Sequence, residues 1–349
     1  MSKFFLHMGL HKTGTKFFQH KVFVNLNNED YFYNPPKLTQ LLCDLMKAND
    51  EDLLLVLEAI ISEKKKLTDE GRDVVLSREI VCGDLFSFYK DKRRTISRLY
   101  KALPEAKIIL FRRYQVDWIV SCYRETIHEH HYQSIQEFLS LKPGNSDFQH
   151  NKYQNLDING YINIVRETFG EESVHVLFYE DFRKNKFQSV KDVAQILGLN
   201  NLEVVKDSDG RPNRGYSAFS IQLSILRFKF FNALGLKNFF VHRPINFFGE
   251  KGIPAGFQKL SVLPSSKYWH NGFLRDNEEI RSDNWPNLSF KERFKLNFSW
   301  RRIVKNGIDK LFYWDWDLLG TDLRREMDHF FQQENRKHLD SSAPKKYFE

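Results

Sequence analysis

Over its first two hundred residues the chain alternates short apolar runs with longer stretches in which apolar residues recur every three or four positions. The short runs, Phe4–Met8, Val74–Ser77, Lys107–Phe111 and Val174–Tyr179, have the length and the β-branched or aromatic content of buried strands. The longer stretches, at about 15–27, 51–66, 86–102, 115–130, 156–168 and 187–198, predict helices. Strand followed by helix, repeated, predicts an α/β fold with a mostly parallel central sheet flanked by helices. Ligands of such sheets are held by the loops at the carboxyl ends of the strands, so chemistry is to be sought just after each apolar run.

Beyond Gly210 the pattern changes. A helical segment at about 216–235 gives way to a stretch rich in Phe, Pro, Asn and Gly that lasts to about 288, and helical spacing returns at about 290–305 and 319–338. No internal repeat separates these parts. The economical reading is one domain over 1–349, with a core of about 1–215 plus the C-terminal helix and a helical and irregular lid over about 216–310. At 41% hydrophobic and 15% aromatic the chain has ample material for a core.

No basic segment followed by an apolar stretch opens the chain, and no apolar run reaches the ~18 residues of a membrane span. The three cysteines, Cys43, Cys82 and Cys122, form no C-x-x-C pair and are odd in number. This pattern predicts neither a disulfide framework nor a zinc site, and a reducing, cytoplasmic setting. The net charge of +8 is uneven: residues 211–310 carry 18 Lys and Arg against 7 Asp and Glu, leaving about −3 for the rest. Such a patch suits an anionic nucleotide, an acidic sugar, nucleic acid or lipid headgroups.

Residues 3–20, KFFLHMGLHKTGTKFFQH, run from an apolar strand through a glycine-containing turn into a helix. That is the build of a phosphate cradle, in which amides freed by the turn and the first helical turn converge where the helix dipole favours an anion. Gly9 and Gly14 have the spacing of the P-loop G-x-x-x-x-G-K-[ST], but the next residues are Thr15 and Lys16 in place of Lys and a Mg²⁺-binding hydroxyl. A lysine stands inside the loop instead, at Lys12. The loop is therefore poorly suited to Mg²⁺-dependent phosphoryl transfer and suits a nucleotide used without metal.

A second constellation follows the third strand, where Arg113 ends KIILFRR and Ser121 lies eight residues on, in the next helix. Helical side chains tilt toward the N-terminus, so the two could share one phosphate. Arg112 is the neighbour that could take the place of Arg113.

His7, Gly9 and His11-Lys12-Thr13-Gly14-Thr15 resemble the 5′-phosphosulfate loop of the sulfotransferases, which move a sulfuryl group from 3′-phosphoadenylyl sulfate (PAPS) to a hydroxyl or amine. Arg113-x7-Ser121 is similar to their 3′-phosphate site, and Val174–Phe182, VHVLFYEDF, to a strand preceding a helix of that family. The resemblance implies the P-loop-NTPase-like sulfotransferase fold and PAPS as donor cosubstrate, with no metal. It also implies that Lys12, Thr13, Gly14, Thr15 and Lys16 hold the 5′-phosphate, that Tyr179 touches the adenine, and that Phe17 offers it a stacking face. Arg214, in Arg211-Pro212-Asn213-Arg214, matches loosely a basic segment over the 3′-phosphate. Residues 237–288 match nothing in the family.

For chemistry, the Lys12 ammonium is suited to neutralising charge on the leaving phosphate. The first choice of base is Glu79, just past the second predicted strand; the alternatives are His7, His11 and the cluster His128-Glu129-His130-His131. The expected partners are the nucleotide donor and a hydroxyl acceptor, a carbohydrate or glycolipid. Peripheral membrane contact is compatible with the basic region, and nucleic acid is not expected. The competing readings are a P-loop kinase or NTPase, and a non-enzymatic protein of anionic surfaces.

Overall fold

The chain's first strand, β1 (Phe4–His7), lies buried at the centre of a five-stranded, wholly parallel sheet in the computed structural model. The order is β2-β3-β1-β4-β5, with β2 at Tyr31–Tyr33, β3 at Asp73–Ser77, β4 at Lys107–Arg112 and β5 at Val174–Phe178. His7 pairs with Ser77 on one side and with Ile109 on the other. After β1 the chain runs to the edge at β2, returns through β3, and then crosses to β4 on the far flank of β1. Winding therefore reverses at β1, which puts the loops after β1, β3 and β4 together at the carboxyl edge, where open α/β sheets bind ligands. The expected α/β class with a parallel sheet is what forms.

The described residues are 2–85, 89–128, 131–139, 157–205, 216–233, 304, 308–309 and 313–349. They belong to two units, one of Met1–Cys122, Leu141–Pro212 and Thr321–Glu349, the other of Tyr123–Ser140 and Asn213–Gly320. The expected helix at 290–305, apart from residue 304, the unmatched stretch 237–288 and Arg214 lie outside the described residues.

The helices are α1 (Thr15–Phe17), α2 (Pro36–Lys47), α3 (Asp50–Asp69), α4 (Lys92–Ala102), α5 (Gln115–His128), α6 (Ile135–Leu139), α7 (Ile158–Phe169), α8 (Tyr179–Lys184), α9 (Lys186–Leu197), α10 (Ala218–Ala233) and α11 (Thr321–His338). Local chemistry sets their ends. Asn49 caps α3 by accepting from the Asp52 amide, with Asp50, Glu51 and Asp52 complementing the dipole. Asp157 caps α7 in the same way, and Gly198 closes α9 in the left-handed conformation. Among the described residues no helix is long and apolar enough to cross a membrane.

Four expectations change, one of them being that the helix expected at 86–102 begins only at Lys92, after a turn in which Tyr89 has a φ of 54°. The helix expected at 15–27 is instead α1, a π-helical stretch Phe18–Val22 and a 3₁₀ turn Phe23–Leu26. A π turn puts residues five apart on one face, and here it brings both Phe18 and Phe23 against the His7 ring, at 5.7 and 5.3 Å. The strand β2 and the helix α2 went unread because three residues are too few for a pattern and Asn34-Pro35-Pro36 reads as a turn; Pro36 is the first residue of α2, where its missing N–H costs nothing. The run Val174–Tyr179 stops as a strand at Phe178, and Tyr179 opens α8.

A buried polar knot closes the carboxyl end of β4. The Arg112 Nη2 donates to Asn159 Oδ1 at 2.9 Å and to Asn335 Oδ1 at 3.4 Å, with the Phe178 and Tyr347 rings 5.6 and 5.0 Å from the guanidinium. Gln115 Nε2 donates to the same Asn335 oxygen at 2.9 Å, and the Tyr347 hydroxyl donates to Glu180 at 2.8 Å. Elements far apart in sequence, α7, α11 and the segment after it, are thus fastened to β4.

On the other side of the sheet, Phe5, Phe18, Phe23, Phe111 and Phe182 join Val190, Val193 and Leu197 in one core. His7 sits within it, its Nδ1 2.7 Å from Ser77 Oγ and its Nε2 buried without a partner. Burial lowers its pKa from 6.5 to about 3. The unfolded chain therefore takes up a proton below pH 6.5 that the folded chain refuses until near pH 3. Stability from this group is complete above pH 6.5 and falls by up to about 1.4 kcal/mol per pH unit below it. Between about pH 6.5 and 5, urea unfolding should show the wild type losing about 2 kcal/mol more than His7→Gln. Equal losses would place the burden elsewhere.

Candidate active site

The loop after β1 is held from beneath through three successive carbonyls. Leu10 O accepts from the hydroxyls of Thr13 at 2.7 Å and Thr15 at 3.4 Å. His11 O accepts from the indole of Trp118 on α5 at 2.7 Å, and Lys12 O from Arg113 Nη1 at 3.1 Å. In a trans peptide the following N–H points opposite to the carbonyl, so the last two bonds turn the amides of Lys12 and Thr13 away from Trp118 and Arg113. Consecutive amides presented this way form a nest for an anion.

The backbone is contorted to do this. Gly9, Lys12 and Gly14 all have positive φ, of 72°, 67° and 90°. Glycine is required at both ends: a Cβ on Gly9 would stand 2.5 Å from Thr15 Oγ1, and one on Gly14 2.9 Å from the Phe182 ring. Lys12 has a side chain and takes up the left-handed conformation regardless, at a cost of about 1–2 kcal/mol. Strain of this kind persists only where the surroundings over-determine it, as the carbonyl bonds do here.

Arg113 and Tyr179 join Lys12 at this edge. The Arg113 guanidinium lies 4.7 Å from the centre of the Tyr179 ring while it braces the Lys12 carbonyl. Arg112, the rival, is buried in the knot on the other side, because successive strand residues face opposite ways. Phe17 is half-buried, edge-on to Phe18 and 5.1 Å from Phe182, with the Lys186 ammonium 5.6 Å from its ring. Lys16 is exposed one residue earlier.

Glu79 opens a 3₁₀ turn, Glu79–Cys82, two residues past the His7–Ser77 pairing, and is half-buried at the same sheet edge. Ser121 is half-buried in α5, one turn beyond Trp118; no hydrogen bond joins it to Arg113 among the described residues. Of the histidines, His7 is sealed in the core and cannot meet an acceptor. His11 Nδ1 lies 2.6 Å from the Tyr89 hydroxyl. His128 packs edge-on against Tyr216 within the second unit, while Glu129 and His130 lie outside the described residues.

The chain is similar to a sulfotransferase from Alicyclobacillus acidocaldarius, at 20% identity and a TM-score of 0.41, over 70% of this chain and 96% of that one. It is also similar to the sulfotransferase domain from the curacin biosynthetic pathway, at 13% identity and a TM-score of 0.34, over 57% and 75% of the two chains. No protein-family model and no curated protein matches it.

Sequence reasoning missed Trp118, Tyr89 and Phe182. A signal was present for the first: a buried indole has to place its N–H, and a tryptophan four residues into the helix after Arg113 is within reach of the loop. The strain at Lys12 makes a direct test. Chemical unfolding should find Lys12→Gly more stable than Lys12→Ala by about 1 kcal/mol, the reverse of the order in regular structure. The ordinary order, Ala above Gly, would show that Lys12 is not held left-handed.

Proposed function

We propose that the protein is a sulfotransferase that moves a sulfuryl group from PAPS to an acceptor hydroxyl, of a carbohydrate or glycolipid. The observation that carries this reading is the loop itself: a lysine forced into the left-handed conformation between two obligatory glycines, its carbonyl braced by Arg113. Where a P-loop places its Mg²⁺-binding hydroxyl this loop carries the ammonium of Lys16, and Thr15 stands at the place of the P-loop lysine.

In this reading the amides of the loop from Lys12 to Lys16 hold the 5′-phosphate, and Phe17 and Tyr179 flank the adenine. Arg113 keeps donors beyond the one spent on Lys12 and offers them to the 3′-phosphate with Ser121; a guanidinium has five. Glu79 takes the acceptor's proton as the acceptor oxygen bonds to sulfur. The bond from sulfur to the bridging oxygen breaks, and Lys12 neutralises the charge left on the phosphate, a stabilisation that grows toward the transition state.

Calorimetry should show binding of 3′-phosphoadenosine 5′-phosphate (PAP) that EDTA does not alter. Stabilisation by ATP with Mg²⁺ and none by PAP would turn the reading toward a kinase or NTPase.

The residues should fail in different ways. Lys12→Ala should lose mostly turnover, whereas Arg113→Ala should lose donor affinity by roughly 2–4 kcal/mol, including the loss of the loop's brace. Glu79→Gln keeps the shape without the base, so PAP binding should survive while transfer falls about 10²-fold or more. Near-normal transfer by Glu79→Gln would remove it from the mechanism.

A further inference from the structure

Helix α3 buries Val56, Ile60 and Leu67 and turns three large aliphatic side chains outward. Leu54 is 70% exposed, Leu55 52% and Ile61 58%. Single apolar residues on a surface need no explanation, but these share one face of one helix. At about 100° per residue, Glu51, Leu54, Leu55, Ile61, Ser62 and Lys65 all fall within about 60° of Glu58. Every one of these residues, Glu58 included, is exposed. An exposed helix position is served equally well by Lys, Gln or Glu, so helix propensity does not account for aliphatic side chains there.

The face reads alike from either end, with its charges reversed. Counting outward from Glu58, Leu55 and Leu54 on one side stand opposite Ile61 and Ser62 on the other, and the acidic Glu51 stands as far away as the basic Lys65. Asp50 and Asp52 flank Glu51, and Lys66 follows Lys65. A two-fold interface requires a patch that is complementary to itself after reversal. A second α3 laid antiparallel across the first, with the axis at Glu58, meets that requirement. Leu54 and Leu55 then lie against Ile61 and Ser62 of the other copy, each Glu51 comes beside a Lys65, and the two helix dipoles oppose each other. The terminal charges also suit the dipole of a single α3, but that account leaves the aliphatic centre unexplained, whereas self-pairing covers both.

We propose that the exposed face of α3 is the interface of a reversible homodimer, in which two copies of the chain pair antiparallel about a two-fold axis at Glu58. The pairing is independent of the reaction the loop performs. Two features keep it weak. A single pair of helices lies at the low end of the size range of specific interfaces. The two Glu58 carboxylates also meet at the axis, where like charge opposes closure. The dissociation constant is therefore expected at roughly 10–100 µM.

Sedimentation velocity of the full chain at low salt, over roughly 1–500 µM, brackets that value. The wild type should pass from monomer to dimer across the range. Leu54→Ser combined with Ile61→Ser, both at exposed positions that the fold does not need, should weaken association by about 30-fold or more. Glu58→Leu, which completes the aliphatic centre and removes the like charges, should tighten it about tenfold.

Charge reversal tests the antiparallel arrangement itself. Glu51→Lys alone and Lys65→Glu alone should each weaken the dimer about three- to tenfold, because each sets like charges together at two symmetric places. The two reversals in one chain should return association to near the wild-type value. Such restoration distinguishes self-pairing from general stickiness of the aliphatic residues and from a site for a different protein. A wild type that stays monomeric throughout, a dimer unaffected by the serine pair, or a double reversal weaker than either single one overturns the proposal.

Discussion

A guanidinium cannot shed its charge inside a protein, so a buried arginine dictates what surrounds it. Arg112 does this for the first unit. It draws Asn159 from α7 and Asn335 from α11 onto one edge of β4, and it lies between the rings of Phe178 and Tyr347. Strand geometry carries the constraint to the neighbouring residue. With Arg112 committed to one face, Arg113 emerges on the other, where the Lys12 carbonyl and the Tyr179 ring receive it. Two adjacent arginines of the same type thus have opposite duties, one satisfying the interior and the other facing the loop.

The loop shows how a strained conformation is kept. Left-handed lysine is unfavourable alone, and short loops are usually where strain relaxes. Here each carbonyl from Leu10 to Lys12 is tied to a different donor: threonine hydroxyls from the loop itself, an indole from α5, a guanidinium from the end of β4. Relaxing one peptide would break a bond to another element. The amides are consequently oriented before any ligand binds, and dipoles that need no reorganisation stabilise charge most effectively.

Much of this was legible in the sequence because it depended on local pattern. Strand β1, the turn at Gly9 and Gly14, and the runs of β3 and β4 announced themselves by hydrophobic spacing and glycine placement, and they position the loop. That Arg112 and Arg113 face opposite ways is likewise a local matter, since side chains alternate along an extended chain. Illegible were the features made by long-range contact. Nothing local marks Tyr89 as left-handed, or Asn335 as the acceptor for a residue 223 positions away. Helix α2 was hidden behind two prolines that ordinarily signal a turn, and the π-helical stretch arose because Phe18 and Phe23 both pack on His7, a demand no helical period expresses.

The order of the chain gives the Arg112 knot a consequence during synthesis. Asn335 and Tyr347 follow the segment Asn213–Gly320, which belongs to the second unit. All five strands therefore leave the ribosome while Arg112 still lacks two of its partners. A nascent sheet at that stage carries a charge it cannot yet bury, which favours delayed closure over premature collapse. The final locking of the unit that holds the sheet thus waits on a helix made after the whole of the second unit has been translated.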